Sequence, residues 1–148
     1  MLRDEQEVAV NDLVIALWEA AESYGTAAGI VTGPGRAELF AAAGDGHRKL
    51  AAALEDEQQA LGHLPKAPDP ETGLIRDAAS HLKARLAEDE VIALLDERRQ
   101  DEERIVACGQ VLLDVTEPGP LGDLARQAIE AARRNIEEIE RLAAAAGK

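Results

Sequence analysis

The stretch Glu90–Val115, EVIALLDERRQDEERIVACGQVLLDV, decides the fold that this sequence predicts. Both ends of the stretch are apolar and its middle is charged. Alternating steps of four and three residues trace one face of an α-helix, which is apolar except for two charged residues at its centre. A helix of about 25 residues is roughly 37 Å long and needs partner helices to bury such a face. The face consists of Val91, Leu95, Arg98, Glu102, Ile105, Gly109 and Leu112.

Helical periodicity also marks four other segments, which are separated by glycine and proline signals. Gly29 and the following Thr-Gly-Pro-Gly run predict the end of the first helix, and three prolines mark a linker after the second. Pro120 suits the first turn of the last helix. The predicted helices outside Glu90–Val115 are Asp4–Ala28, Arg36–Gly62, Gly73–Ala87 and Leu121–Ala146.

The lengths of the connections predict the topology. About seven residues join the first two helices and about five join the last two, so each pair is expected to form an antiparallel hairpin. The connection between the hairpins is much longer and contains the short helix Gly73–Ala87. It is long enough to cross the length of a bundle. The sequence therefore predicts an all-α protein, a ferritin-like four-helix bundle with a crossover helix, in a single domain covering residues 1–148.

Composition excludes several classes of partner. The net charge of −13 disfavours binding to nucleic acid or to an anionic membrane surface. Hydrophobic residues make up 46% of the chain but aromatic residues only 2%, which favours closely packed helices over a sheet. The single cysteine, Cys108, cannot form an internal disulfide, and the acidic start is unlike a secretion signal. We therefore expect a cytoplasmic protein in which Cys108 is a small core residue.

Polar residues from each long helix fall at one height when the helix midpoints are aligned near residues 18, 49, 102 and 133. Charged groups inside a bundle are costly unless they are paired or bound to metal. These residues are therefore predicted to form either a buried hydrogen-bonded layer or a metal site. They are Glu19 and Glu22 at the edge of the first helix, His47 on the second, Arg98 and Glu102 on the third, and Asn135 on the fourth.

The metal interpretation lacks part of its ligand set. Di-iron bundles use a Glu from each of two helices and a Glu-x-x-His from each of the other two. The positions three residues before His47 and Asn135 hold Gly44 and Ala132, so both bridging carboxylates are missing. Arg98 would also place a permanent positive charge beside a cation. These features favour a structural layer, although a partial site for iron or manganese stays as the alternative.

Several short stretches occur along the chain in a familiar order: Asn11-Asp12-Leu13, Glu19, Glu22, Tyr24 and Ala27-Ala28, then Ala60-Leu61-Gly62, Gly73 to Leu86, and Glu97 with Glu102. These stretches resemble a bacterial ferritin-like family of unknown function. The resemblance runs from about Val8 to Leu142 and implies a four-helix bundle with a crossover helix, in proteins sometimes linked to stress responses. It carries over Glu22 and Glu102 as candidate ligands, and the polar layer itself adds His47.

Three functions are consistent with these features. The one favoured is a non-catalytic bundle that acts through protein association, as a homodimer in contact through Leu74, Ile75 or Trp18. The second is a metal-binding protein that uses Glu22, His47 and Glu102 as ligands. The third is a carrier of a small apolar ligand, which the scarcity of aromatic and Met residues disfavours. We expect no enzymatic activity and no resident cofactor.

Overall fold

The described residues of this protein form an all-helical bundle. The computed structural model describes residues 4–31, 35–63 and 88–146. Within these ranges the chain forms four helices and no strand, which confirms the all-α prediction for this part of the chain. The predicted crossover helix Gly73–Ala87, with Leu74 and Ile75, lies outside the described residues. The helices are α1 (Glu5–Ile30), α2 (Arg36–Ala60), α3 (Glu88–Val115) and α4 (Pro120–Ala146).

Helix α1 begins with a side-chain cap. Oδ1 of Asp4 accepts a hydrogen bond of 2.7 Å from the backbone N–H of Glu7, which satisfies one of the free donors of the first turn. The predicted end of this helix was wrong, because the helix continues beyond Ala28 to Ile30. Gly29 keeps a helical backbone and faces open space, so nothing forces the chain to turn there.

Helix α2 ends at Ala60, two residues before the predicted Gly62, in a Schellman motif. Gly62 has a φ of +80°, a left-handed conformation that favours glycine. The N–H of Gly62 donates to the carbonyl of Gln59 at 3.0 Å, and that of His63 donates to Gln58 at 2.8 Å. Gly62 therefore terminates the helix from outside it.

Helices α3 and α4 begin slightly earlier than predicted. α3 begins at Glu88, two residues before Glu90, and α4 begins at Pro120, one residue before Leu121. Proline is suited to a first helical position because its missing N–H would have no partner there. The turn from α3 into α4 therefore agrees with the break predicted from its prolines.

Contacts along α1 and α3 show that these two helices are antiparallel. Thr116, just beyond α3, donates a hydrogen bond of 2.9 Å to Gln6 near the start of α1. Tyr24, near the end of α1, bonds to Glu102 at 3.0 Å. Residue numbers therefore rise along one helix as they fall along the other.

Helix α2 is also antiparallel to α1. Gln58, near the end of α2, bonds to Asn11 near the start of α1 at 2.6 Å. The rings of Phe40 and Tyr24 lie 5.5 Å apart at the other end of this pair. Because both α2 and α3 are antiparallel to α1, they are parallel to each other. The helices next to α1 are α2 and α3, and those next to α4 are likewise α2 and α3.

Helix α3 buries the face that its sequence predicts. All seven stripe residues are buried, and none of the other α3 residues for which burial is described is buried. The stripe follows from the helical period, because steps of four and three keep the side chains on one side. The prediction for this helix is therefore confirmed at every stripe position, from Val91 to Leu112.

Glycines allow two close helix contacts. A Cβ at Gly44 of α2 would lie 3.3 Å from both the carbonyl oxygen of Ala21 and Cβ of Tyr24 on α1. A Cβ at Gly109 of α3 would lie 2.6 Å from Cγ1 of Ile129 on α4. Gly46 has no such neighbour within 4 Å. Of the two glycines inside α2, only Gly44 therefore allows a neighbouring helix to approach.

Candidate functional site

A polar layer separates two apolar clusters of the core. On α2 the cluster residues Ala51 and Leu54 lie on one side of His47, and Phe40 and Ala43 lie on the other. The same change of cluster occurs around Glu102 on α3 and around Asn135 on α4. Each helix contributes one polar side chain to the layer. Its members are Tyr24 (α1), His47 (α2), Glu102 (α3) and Asn135 (α4).

Glu102 lies at the centre of the polar layer and is fully buried. Its Oε2 accepts a hydrogen bond of 3.0 Å from the hydroxyl of Tyr24. Its Oε1 lies 2.5 Å from Nε2 of His47, which is also fully buried. Both oxygens of this carboxyl group are therefore engaged by protein side chains from two other helices.

Burial and the neighbouring Glu102 carboxylate raise the pKa of the Tyr24 hydroxyl above its ordinary value. The phenol therefore keeps its proton and can serve as a hydrogen-bond donor to Glu102. A carboxylate between two donors matches this arrangement, with Nε2–H of His47 as the second donor. We assign that tautomer from the hydrogen-bond pattern.

The ring of His47 lies beside that of Tyr24, and His47 also approaches α4. Its ring centroid lies 5.9 Å from that of Tyr24, which in turn packs against Phe40. Nδ2 of Asn135 lies 3.4 Å from Nε2 of His47, but because both nitrogens carry protons in the assigned tautomer, this contact is not a hydrogen bond. The second ring nitrogen, Nδ1, is buried without a hydrogen-bond partner among the described residues.

Arg98 lies beside the layer but forms its ion pair elsewhere. Its Nη1 is 2.8 Å from Oδ2 of Asp101, three residues along the same helix. Its guanidinium carbon is 5.7 Å from the centroid of the Tyr24 ring, within range of a cation–π contact. The predicted network in which Arg98 pairs directly within the layer therefore needs correction, because Asp101 takes that role and Tyr24 joins Glu102.

The two carboxylates predicted at the edge of α1 are not at the centre of this layer. Glu19 is partly exposed and forms an ion pair of 2.6 Å with Arg104 on α3. Glu22 is half-buried. Tyr24 fills the place that sequence reasoning gave to these acids. A signal was present, because Tyr24 belongs to the inward stripe and a buried tyrosine hydroxyl needs a partner.

The side chains around Glu102 do not fit the metal site of a di-iron bundle. Within the described ranges, no three His, Cys, Asp or Glu side chains converge closely enough to hold a metal ion, so Glu22 does not complete a site with His47 and Glu102. A bridging carboxylate in place of Gly44 would also crowd the backbone of α1, since a Cβ there already lies 3.3 Å from the carbonyl oxygen of Ala21. The available donor set is one imidazole and one carboxylate that already bond to each other.

A second buried polar pair joins α1 and α2 and was missed from the sequence. Nε2 of Gln58 donates a hydrogen bond of 2.6 Å to Oδ1 of Asn11, and both residues are buried. Nδ2 of Asn11 and Oε1 of Gln58 have no partner among the described residues. Gln58 continues the inward stripe of His47, Ala51 and Leu54, so its spacing could have revealed it.

The remaining predicted residues take structural positions. Cys108 is half-buried against the core, and burial raises the pKa of its thiol, so the protonated form is favoured. A protonated thiol is a poor nucleophile. Trp18 is partly buried against the same cluster, and its indole N–H donates to Glu55 of α2. Trp18 therefore already has intramolecular contacts on the side where a dimer contact was expected.

Comparison with protein-family models, with curated proteins and with solved structures gave no match. In the part of the chain that the structure describes, no helix contains a segment long and apolar enough to cross a membrane.

Proposed function

We propose that this protein is a ferritin-like bundle in which the polar layer has a structural role and function depends on protein association. The observation that carries the structural role of the layer is that both oxygens of Glu102 accept hydrogen bonds, one from Tyr24 of α1 and one from His47 of α2. A carboxylate held this way fixes the relative positions of three helices. The same two bonds direct both oxygens of Glu102 toward protein donors, and no second carboxylate in the described residues lies beside it to bridge metal ions.

The layer can determine helix register because its groups are hard to satisfy in any other alignment. A shift of one helical turn would place the Glu102 carboxylate among apolar side chains of the core. Burial of an unpaired charge is strongly unfavourable, so such alignments are disfavoured. The resemblance to ferritin-like proteins agrees with this role, since it implies the same bundle with an altered ligand set.

Association as a homodimer is the second part of the proposal. Val8 on α1 and Val111 on α3 are 43% and 52% exposed. Val8 lies eleven residues before Glu19 and Val111 lies seven after Arg104, and both spacings return to the same face of a helix. Because Glu19 and Arg104 form an ion pair between these adjacent helices, the two valines belong to the same side of the bundle. A second copy placed against this side would cover both valines. A cytoplasmic location is also part of the proposal and is supported by the single thiol.

Light scattering of the purified chain tests the association. The expected mass is twice the 15.8 kDa of one chain. Val8→Asp with Val111→Asp is expected to give the single-chain mass, because each change places a carboxylate in the contact. Ile92→Asp provides the control, since Ile92 is exposed to a comparable extent, 39%, near the start of α3. A wild-type mass of one chain would exclude the dimer.

Metal analysis of protein purified without added metal or chelator tests the structural role of the layer. We expect less than one equivalent of iron, manganese or zinc per chain and no oxidation of ferrous iron. The alternative function, a partial iron or manganese site, rests on the adjacency of His47 and Glu102. A full equivalent of metal that disappears in His47→Ala would support this alternative and contradict the structural role.

A further inference from the structure

The contact between Asn11 of α1 and Gln58 of α2 leaves one donor and one acceptor without a partner. Nε2 of Gln58 donates a hydrogen bond of 2.6 Å to Oδ1 of Asn11. Nδ2 of Asn11 and Oε1 of Gln58 are buried and have no partner among the described residues. Asn11 is only 5% exposed and Gln58 is fully buried, so bulk solvent does not satisfy these two atoms. Buried amide groups without partners are costly, and folded proteins satisfy nearly all of them.

The two unpaired atoms lie close to each other. The oxygen and nitrogen of one amide are about 2.2 Å apart, so the direct bond of 2.6 Å keeps Nδ2 of Asn11 within about 7 Å of Oε1 of Gln58. A single atom that forms a hydrogen bond of about 2.9 Å to each of them spans up to about 6 Å, which covers most of this range. One small molecule can therefore contact both atoms.

The need for a donor and an acceptor does not depend on how the two amides are oriented. Exchange of oxygen and nitrogen in both side chains would reverse the direct bond and would again leave one donor and one acceptor unpaired. Exchange in only one side chain would place two donors or two acceptors in contact. The chemistry required of a bridging molecule is therefore the same in each acceptable arrangement.

This chemistry selects a hydroxyl group. A metal ion or an ammonium group could bind Oε1 of Gln58, but the protons on Nδ2 of Asn11 would repel it, and an anion would have the opposite mismatch. A hydroxyl oxygen can accept one hydrogen bond and donate another. Val14 and Leu54, one turn from the pair, belong to the same core cluster, so α1 and α2 pack closely here. Close packing favours the smallest hydroxyl compound, which is water.

We propose that one buried water molecule binds between Asn11 and Gln58. The water accepts a hydrogen bond from Nδ2 of Asn11 and donates one to Oε1 of Gln58, so that every polar atom of the two amides has a partner. Because the site lies between packed helices, the water exchanges with solvent only when α1 and α2 separate. Gln58 follows His47 by eleven residues, about 16 Å along α2, so this site does not depend on the structural role of the polar layer.

A high-resolution crystal structure of the full chain tests the proposal directly. We expect density for one isolated oxygen within about 3.2 Å of both amide groups. Oxygen-17 relaxation dispersion counts long-lived water molecules in solution, and we expect Asn11→Leu with Gln58→Met to lose about one such water per chain. The control is Gln59→Met, at the exposed position next to Gln58, which is expected to keep the wild-type count. Circular dichroism of each variant verifies the helical content.

Three results would overturn the proposal. A second direct hydrogen bond between Nδ2 of Asn11 and Oε1 of Gln58, or another side chain bonded to them, would leave the water no role. Density that extends beyond one oxygen would identify a different hydroxyl compound. An unchanged count in the double variant, or the same loss in Gln59→Met, would place the long-lived water elsewhere. The wild-type crystal structure decides the matter even where the double variant does not fold.

Discussion

Replacement of Glu102 by alanine is the perturbation that most strongly separates a structural layer from a solvated one. The change removes an acceptor from two buried donors, the Tyr24 hydroxyl and Nε2 of His47. A buried donor left without a partner costs about 1–3 kcal/mol, so two cost about 2–6 kcal/mol before relaxation. Removal of one member of a buried polar set typically costs about 3–5 kcal/mol. We therefore expect Glu102→Ala to lower the free energy of unfolding by about 3 kcal/mol or more.

The assay is urea unfolding followed by circular dichroism, with Glu103→Ala as the control. Glu103 is the next residue along α3 and is exposed, so its replacement is expected to change stability by no more than about 0.5 kcal/mol. A lower midpoint with an unchanged slope would show a loss of stability rather than a change in the unfolded state. Small and similar effects for both variants would refute the reasoning, because they would mean that water reaches the polar layer.

The other predictions concern close packing, the second polar pair and the thiol. Gly109→Ala is expected to destabilise the folded protein by about 1 kcal/mol or more in thermal melts, because its methyl group would lie 2.6 Å from the buried side chain of Ile129 on α4. Gly46→Ala should instead stabilise it by about 0.5–1 kcal/mol, because Gly46 faces open space. Gln58→Met alone is expected to lower stability by about 1–3 kcal/mol in the same melts, because Asn11 then loses its buried partner. The double change Asn11→Leu with Gln58→Met should recover most of that stability, since neither position then holds a polar side chain. Burial raises the pKa of Cys108, so its labelling by a thiol reagent should be slow at neutral pH, faster as the pH rises, and fast in urea. The raised pKa also predicts that Cys108 contributes stability below about pH 8.5, the ordinary thiol pKa, and that this contribution is lost as the pH rises through the pKa of the folded state. Raising the pH should therefore lower the stability of the wild type more than that of Cys108→Ser, and equal losses in the two proteins would contradict this prediction.

The sequence predicted the face of α3 well because a single physical rule governs it. A buried side of an α-helix recurs at steps of three and four, and no competing pattern exists in Glu90–Val115. Helix ends were less accurate. Gly29 was expected to end α1, but a glycine in open space can remain helical, whereas Gly62 ends α2 because it adopts a left-handed conformation.

His47, Glu102 and Asn135 of the predicted polar layer lie together, but Arg98 pairs with Asp101 and Tyr24 takes the place predicted for Glu19 and Glu22 on α1. Alignment of helix midpoints placed the layer near residue 18 of α1, close to Glu19, but the contacts of Tyr24 place it farther along. Midpoints coincide only when the helices are not offset along the bundle. Their offset depends on packing between helices, which the period of a single helix does not contain.

The partner of Arg98 was also beyond sequence reasoning. Asp101 and Glu102 lie three and four residues after Arg98, and both spacings allow an ion pair on a helix. Burial decides between them. Glu102 is fully buried and bonds across the core, whereas Asp101 is partly exposed and remains available to Arg98. The helical period already directs Glu102 inward, but whether it bonds to Arg98 or across the core depends on the side chains that the other helices place beside it.

The structural role of the polar layer is tested most directly by urea unfolding of the wild type. The melts are recorded with a chelator and then with excess manganese or ferrous iron under reducing conditions. A bound metal at about one hundred times its dissociation constant would stabilise the folded state by about 2.7 kcal/mol. Because His47 and Glu102 already satisfy each other, we predict the same unfolding midpoint under all three conditions. A midpoint that rises with metal in the wild type, but not in Glu102→Ala, would contradict a structural role for the polar layer.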